Sequence, residues 1–397
     1  MHLINHLSRI LILFYNMDNN NNKVGLITYY GNNYGGCLQA YAIQETLRNL
    51  GKSPYILQVY TPLKHLKSTR WNKLFKIVIN PIAFFKRRKY ITKHIQNDKL
   101  RSEAFNRYRK EYLIFDKTFT LTTDNLNVAN QYNTFVCGSD QIWNPHLYGV
   151  HPIWTLKFAP KNSIKIAYAP SLGVSSIPDE YVSDFKNNLK DYTYLSCREE
   201  EGANCLSKIL NKDVDVVLDP TLLLTPEQWK NFEKPVNIKK PYIFCYLFGD
   251  YPYIAEIKKK VKQYLKLDIV CLPYNLRELK SSDIKLYDIT PNQFVWLIDN
   301  AQYVITDSFH ASVFSIKMST PFISLKRTSD NDIKNMNSRL YTLLRTVELE
   351  DRIISENMGD IIGKIIDKQI DFEKANNKLS KYMSRDITKL KNALSHE

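Results

Sequence analysis

His310 is the residue of this chain best placed to do chemistry. The apolar run Val304-Ile305 breaks into Thr306-Asp307-Ser308, and after Phe309-His310 apolar residues return at helical spacing through Ile316. A strand, a turn and a helix in that order lie at the carboxyl end of a strand in open α/β folds, where backbone N–H groups and the helix dipole favour an anion. A histidine there can exchange a proton near neutral pH; it can equally be a buried structural ring at a helix start. Arg198 sits just past a second apolar run, Tyr194-Leu195-Ser196-Cys197. Its guanidinium suits bidentate binding of carboxylate or phosphate, and the alternative is a surface pairing with Glu199 to Glu201. A third corner follows Phe135-Val136-Cys137, where Gly138 permits close backbone approach and Ser139, Asp140 and Gln141 put three polar side chains at a strand end.

These corners need parallel strands to carry them. Val24 to Tyr29 reads as a strand, Gly31-Asn32-Asn33-Tyr34-Gly35-Gly36 as a glycine-rich loop, and Leu38, Ala42, Ile43 and Leu47 as a helix ending at Gly51, before a strand at Tyr55 to Val59. That is a βαβ unit with a parallel sheet. The loop lacks the Gly-Lys-Ser/Thr ending of a phosphate loop and departs from the dinucleotide fingerprint, so no nucleotide cofactor, and no cofactor at all, is expected. Strands at 164–169, 194–197 and 214–218 continue the pattern. It restarts at Tyr242 with alternating strands and helices to Leu325. The expected fold is α/β, with two Rossmann-like domains and mainly parallel sheets. The expected division is an extension over 1–22, a first domain over 23–238, a second over 239–345 and C-terminal helices over 346–397. In that last part Phe372, Ala375, Leu379, Met383, Ile387, Leu390 and Leu394 recur at near-heptad spacing. Met17 is a plausible alternative start, which would leave residues 1–16 as a poorly packed, disordered extension.

Composition is that of a globular protein, with 44% hydrophobic and 24% charged residues. The net charge of +15 is concentrated: from Lys64 to Lys110, 15 Lys or Arg face Asp98 and Glu103, a local excess of 13. A basic insertion over about 64–111, with amphipathic helix expected on either side of Pro81, suits peripheral contact with an anionic membrane, a funnel for an anionic substrate, or a solvated face. Nucleic acid is not expected, because no recognition fold accompanies the charge. The six cysteines are scattered, without a CxxC pair or a histidine at ligand spacing, so no metal is expected and reduced thiols of a cytoplasmic protein account for them.

Five motifs in order resemble the polysaccharide pyruvyl transferase family: Gly31 to Gly36 with Leu38-Gln39-Ala40-Tyr41-Ala42, Gly138-Ser139-Asp140-Gln141-Ile142-Trp143, Ser196-Cys197-Arg198-Glu199, Leu218-Asp219-Pro220-Thr221, and Thr306-Asp307-Ser308-Phe309-His310. The resemblance implies a fold similar to GT-B glycosyltransferases with the active site between the domains. It also implies phosphoenolpyruvate as donor and a sugar, free or lipid-linked, as acceptor of a pyruvate ketal on a surface polysaccharide. On that basis His310 is expected as general acid or as partner of the departing phosphate, Arg198 as the clamp on the donor, and Asp140 as base or acceptor ligand. Asn32, Asn33 and Gln39 are expected to shape the sugar site, with Ser139, Gln141, Asp307 and Ser308 as further substrate contacts. The chain departs from the family at Ser308, where many members carry an arginine; Arg198, Lys317 or Lys326 are the candidate replacements. A nucleotide-sugar glycosyltransferase on the same plan, and a non-catalytic glycan- or membrane-binding protein, are the alternatives.

Overall fold

The computed structural model describes residues 22–59, 81–122, 125–174, 176–327 and 337–395. The N-terminal extension up to residue 21, and residues 64–80 of the basic insertion, lie outside them. Strands β1 (Lys23–Ile27), β2 (Ser53–Val59), β3 (Phe115–Leu121), β4 (Thr134–Cys137), β5 (Ile164–Ala167), β6 (Tyr194–Cys197) and β7 (Asp215–Val216) form one sheet in the order β3-β2-β1-β4-β5-β6-β7. Strands β8 (Tyr242–Tyr246), β9 (Asp268–Cys271), β10 (Ile284–Lys285), β11 (Tyr303–Thr306), β12 (Phe322–Leu325) and β13 (Ile353–Ile354) form the second, ordered β10-β9-β8-β11-β12-β13. All the pairings are parallel, as crossover helices require. The fold is the expected pair of Rossmann-like α/β domains of the GT-B kind.

No strand is expected from the sequence between Val59 and Phe135, yet β3 lies there. It is an edge strand in which only Asp116 and Leu121 are buried, and its polar residues hide the apolar signal. Helix α1 (Tyr34–Asn49) follows the glycine-rich loop with Asn33 as its cap. Helix α2 (Pro81–Tyr112) runs unbroken for 32 residues from Pro81, which stands at its first position, where the missing N–H costs nothing.

The two sheets share a core. Tyr34 of α1 is fully buried, stacks on Phe294 with ring centroids 4.7 Å apart, and donates to the Ile289 carbonyl at 3.1 Å. Trp229 of α3 (Pro226–Phe232) meets Phe314 of α5 (Phe309–Lys317) edge-on at 4.8 Å. Each buried ring contributes roughly 1.5–3 kcal/mol, so the halves are joined by packing as well as by chain. Phe294 belongs to α4 (Pro291–Asp299), and beyond α6 (Ser338–Thr346) the last helix, α7 (Phe372–Ser395), turns back. It buries Ala375, Leu379, Leu390 and Leu394 against the body, and its Asp386 accepts from the Leu218 N–H at 2.8 Å. The heptad-like stripe is therefore a packing face across both halves.

Candidate active site

Four strand ends meet where the halves face each other. After β4 the chain turns sharply: Gly138 has φ 129°, and a Cβ there would meet the Tyr168 carbonyl at 1.9 Å, so this approach requires glycine. Asp140 follows at φ 60°, a left-handed conformation that costs a non-glycine residue stability. Gln39 of α1 braces the corner from beneath. Its amide donates to the Tyr29 and Gly36 carbonyls at 2.7 and 2.8 Å, and its oxygen accepts from the Ser139 N–H at 3.1 Å.

The hub of the site is Asp219, at the end of the run that follows β7. Its Oδ1 accepts from the Thr221 backbone and hydroxyl at 3.0 and 2.6 Å, which fixes the turn. Its Oδ2 accepts from Ser139 Oγ at 2.9 Å and Arg198 Nη1 at 2.7 Å, and lies 3.5 Å from His310 Nε2, at the outer limit of a hydrogen bond. Burial alone would raise the carboxyl's pKa, but His310 and Arg198 outweigh it and hold Asp219 ionised well below the usual carboxylate range. Arg198 also lies 3.7 Å from Asp140 and stacks on Phe309, with its carbon 4.6 Å from the ring centre. Its Nε and Nη2 have no hydrogen-bond partner among the described residues.

His310 reaches this hub from the second sheet while its ring packs against Gly35 in the first turn of α1. A Cβ on Gly35 would come within 2.0 Å of His310 Nδ1. The glycine of the N-terminal loop is thus the seat of a histidine 275 positions further on. Two helix N-termini point at the same space, α1 capped by Asn33 and α5 entered through Ser308, and both favour negative charge.

A cavity of about 210 Å³ opens here. Of the residues singled out from the sequence, Asn33, Asp140, Gln141, Asp307, Ser308 and His310 line it, while Arg198 lines an adjoining cavity of about 310 Å³. Three others do not line either cavity. Gln39 and Ser139 are fully buried braces, and Asn32 is bound by Ser102 and Arg109 at 3.0 Å on the flank. Asp307 accepts from the Phe248 and Gly249 N–H groups at 3.0 and 2.6 Å and lies 3.4 Å from Arg327 Nε, and the carboxylate beside His310 is Asp219. Lys317 points away and donates to the Leu222 carbonyl, and Lys326 stacks near Tyr341. Among the described residues, the cations that line the first cavity with His310 are Arg327 and Arg339. Asp219 could have been found, since Leu218-Asp219-Pro220-Thr221 repeats the pattern of polar residues at a strand end. Arg327 and Arg339 carry no such local signal.

The profile of the polysaccharide pyruvyl transferase family matches residues 33–329, about three quarters of the chain. The chain belongs to the polysaccharide pyruvyl transferase family. It is a transferase that acts in polysaccharide modification. No curated protein matches it. Among solved structures, this pyruvyl transferase family member is similar to the Listeria monocytogenes putative UDP-N-acetylglucosamine 2-epimerase, at 10% identity over 95% of this chain and 97% of that one, with a TM-score of 0.52. It is also similar to MnaA of S. aureus in complex with UDP, at 11% identity over 94% and 97%, with a TM-score of 0.51. At such identities the likeness is one of fold. Among the described residues no helix is long and apolar enough to cross a membrane.

Proposed function

We propose that this protein transfers a pyruvyl group from phosphoenolpyruvate to two hydroxyls of one sugar, in a surface polysaccharide or its lipid-linked precursor, forming a ketal and releasing phosphate. The observation that carries the reading is the convergence of His310 and Arg198, from opposite halves, on the buried carboxylate of Asp219 beside a cavity that admits solvent. The reaction needs a proton on the donor methylene, stabilisation of a cationic carbon, and charge complementarity for the leaving phosphate. His310 delivers the proton to the methylene carbon. The first hydroxyl attacks the resulting cationic carbon and yields its proton to Asp140. Phosphate then leaves, and the second hydroxyl closes the ketal, its proton departing with the phosphate. Of the two hydroxyl protons, one thus balances the new methyl hydrogen and the other accompanies the phosphate.

Asp219 is a positioning residue that holds Arg198 and His310 toward the donor. Arg327, whose Nε donates to the Asp307 carbonyl at 2.9 Å and lies 3.4 Å from the Asp307 carboxylate, also lines the cavity. The rings of Tyr29, Tyr148 and Phe248 give the cavity aromatic faces of the kind a sugar ring packs against. The Tyr29 phenol, pushed up to about 12 by burial and by Asp140, remains a hydrogen-bond donor through the physiological range.

Incubation with phosphoenolpyruvate and a panel of glycan and lipid-linked acceptors is expected to release phosphate and add one ketal to the acceptor mass. His310→Ala is expected to lower kcat by about 10²–10⁴ with the fold intact. Absence of phosphate release on every acceptor, together with thermal stabilisation by UDP and none by phosphoenolpyruvate, would instead support a nucleotide-sugar transferase.

A further inference from the structure

We propose that Arg339 is an oxyanion-binding residue, which takes a phosphoryl or carboxylate group into the wall between the two cavities. Arg339 is 7% exposed, and among the described residues no carboxylate lies within ion-pairing distance of it. The other buried arginines among the described residues are neutralised or capped. Arg198 has Asp219, Arg101 donates to the Pro273 carbonyl, and Arg352 donates to the carbonyls of Ile365 and Lys368. With the Gln141 amide turned so that its oxygen faces the guanidinium, that oxygen lies 3.2 and 3.3 Å from the two terminal nitrogens of Arg339, and Arg339 Nε has no partner among the described residues.

Position makes this harder to explain as packing. Arg339 stands in the first turn of α6, where the backbone already presents partial positive charge, and a cation is unfavourable at that end of a helix. Burial first, and then the Arg198 charge, push its pKa down to about 10 against the opposing pull of the Asp140 and Glu199 carboxylates, so the two guanidinium groups oppose each other across the site. The neighbouring Ser338 hydroxyl is buried and also lacks a partner among the described residues. A buried cation with no direct ion pair among the described residues and a spare Nε donor, at a helix N-terminus, is stabilised when a ligand supplies further negative charge. Arg339 borders the first cavity with His310 and the second with Arg198, so an oxyanion seated on it faces both groups. The identity of that anion as part of phosphoenolpyruvate rests on the proposed reaction, whereas the existence of the site does not.

Titration calorimetry with inorganic phosphate, pyruvate and phosphoenolpyruvate, on the full chain, tests this. In Arg339→Gln, affinity for phosphoenolpyruvate is expected to fall at least about tenfold. Inorganic phosphate or pyruvate falls with it, whichever carries the group that Arg339 holds. Arg339→Lys keeps the charge and is expected to recover part of the loss, and Arg48→Gln, which breaks an i,i+3 pair with Glu45 elsewhere, changes nothing. The unliganded Arg339→Gln protein is expected to melt at or above the wild-type temperature, because a desolvated charge with no ion pair among the described residues has been removed. Unchanged affinity for all three oxyanions in Arg339→Gln, no binding of any of them to the wild type, or a lowered melting temperature with phosphate stabilisation intact would overturn the assignment. If the wild type forms no ketal but binds phosphate or UDP through Arg339, the site stands and the donor reading fails. If Arg339→Gln forms ketal with an unchanged KM for phosphoenolpyruvate, the site fails and the donor reading stands.

Discussion

Replacing Asp219 by Asn tests whether one buried carboxylate organises this site. The amide has the same shape but offers one acceptor where the carboxylate offers two. If its NH₂ faces Thr221, a donor meets the Thr221 backbone N–H, which cannot reverse. If it faces the other way, it meets the Arg198 guanidinium, which cannot reverse either. Either orientation removes a charge-assisted bond, worth about 1.5–3 kcal/mol, and leaves a buried donor unsatisfied at about 1–3 kcal/mol. The sum agrees with the roughly 3–5 kcal/mol lost when one partner of a buried ion pair is removed. Urea denaturation should report that loss, and kcat should fall by about 10²–10⁴ because His310 and Arg198 lose their common partner. Ser139→Ala is the control: it deletes a hydroxyl bond to the same oxygen and should cost about 1 kcal/mol with kcat nearly unchanged. The effect has a pH signature. A carboxyl held below its ordinary value stabilises the fold above its unfolded pKa, near 4, and loses that contribution as pH falls further, so the gap between wild type and Asp219→Asn should narrow below about pH 4. Stability within about 1 kcal/mol of wild type, with full activity, would refute the role given to Asp219.

Gly35→Ala should cost activity out of proportion to stability, because the new methyl occupies the place of the His310 ring and must push it from Asp219; a kcat within a factor of two or so of wild type would show that the ring position is immaterial. Lys317 is buried with its amine on the Leu222 carbonyl, and burial pushes its pKa down to about 8 from the usual 10.5. Folding therefore bears the cost of a desolvated charge below about pH 8 and is relieved of it as pH rises. Wild-type stability should gain on that of Lys317→Met between pH 8 and 10.5, by up to roughly 3 kcal/mol, and a flat difference across that range in chemical denaturation would falsify the account.

Much of the fold is legible in the order of residues because parallel α/β structure writes itself locally. Short apolar runs such as Tyr303 to Thr306 and Phe322 to Leu325, each bounded by turn residues, coincide with β11 and β12. Strand β3 escaped because, at the sheet edge, only Asp116 and Leu121 of its residues are buried, which weakens the apolar signal. The heptad-like stripe of α7 is legible too, but its partner is not, since an apolar face packs equally well on its own chain or on another.

The site divides along the same line. His310, Asp140 and Arg198 stand out by themselves, because small polar residues and a single charged or titratable side chain at a strand end have few structural uses. What the tertiary structure decided is which of them share an atom. Gln39 and Ser139 became braces, Asn32 moved to the flank, and Asp219 became the common partner of a histidine and an arginine 91 and 21 positions away. Arg339 shows the reason most plainly. Nothing in Asn337-Ser338-Arg339-Leu340 marks it, and its burial and its place beside Arg198 exist because two separately encoded sheets face each other. Local patterns fix strands and turns through short-range sterics and periodicity, whereas the electrostatics of a site depends on distances that are set when the halves pack together.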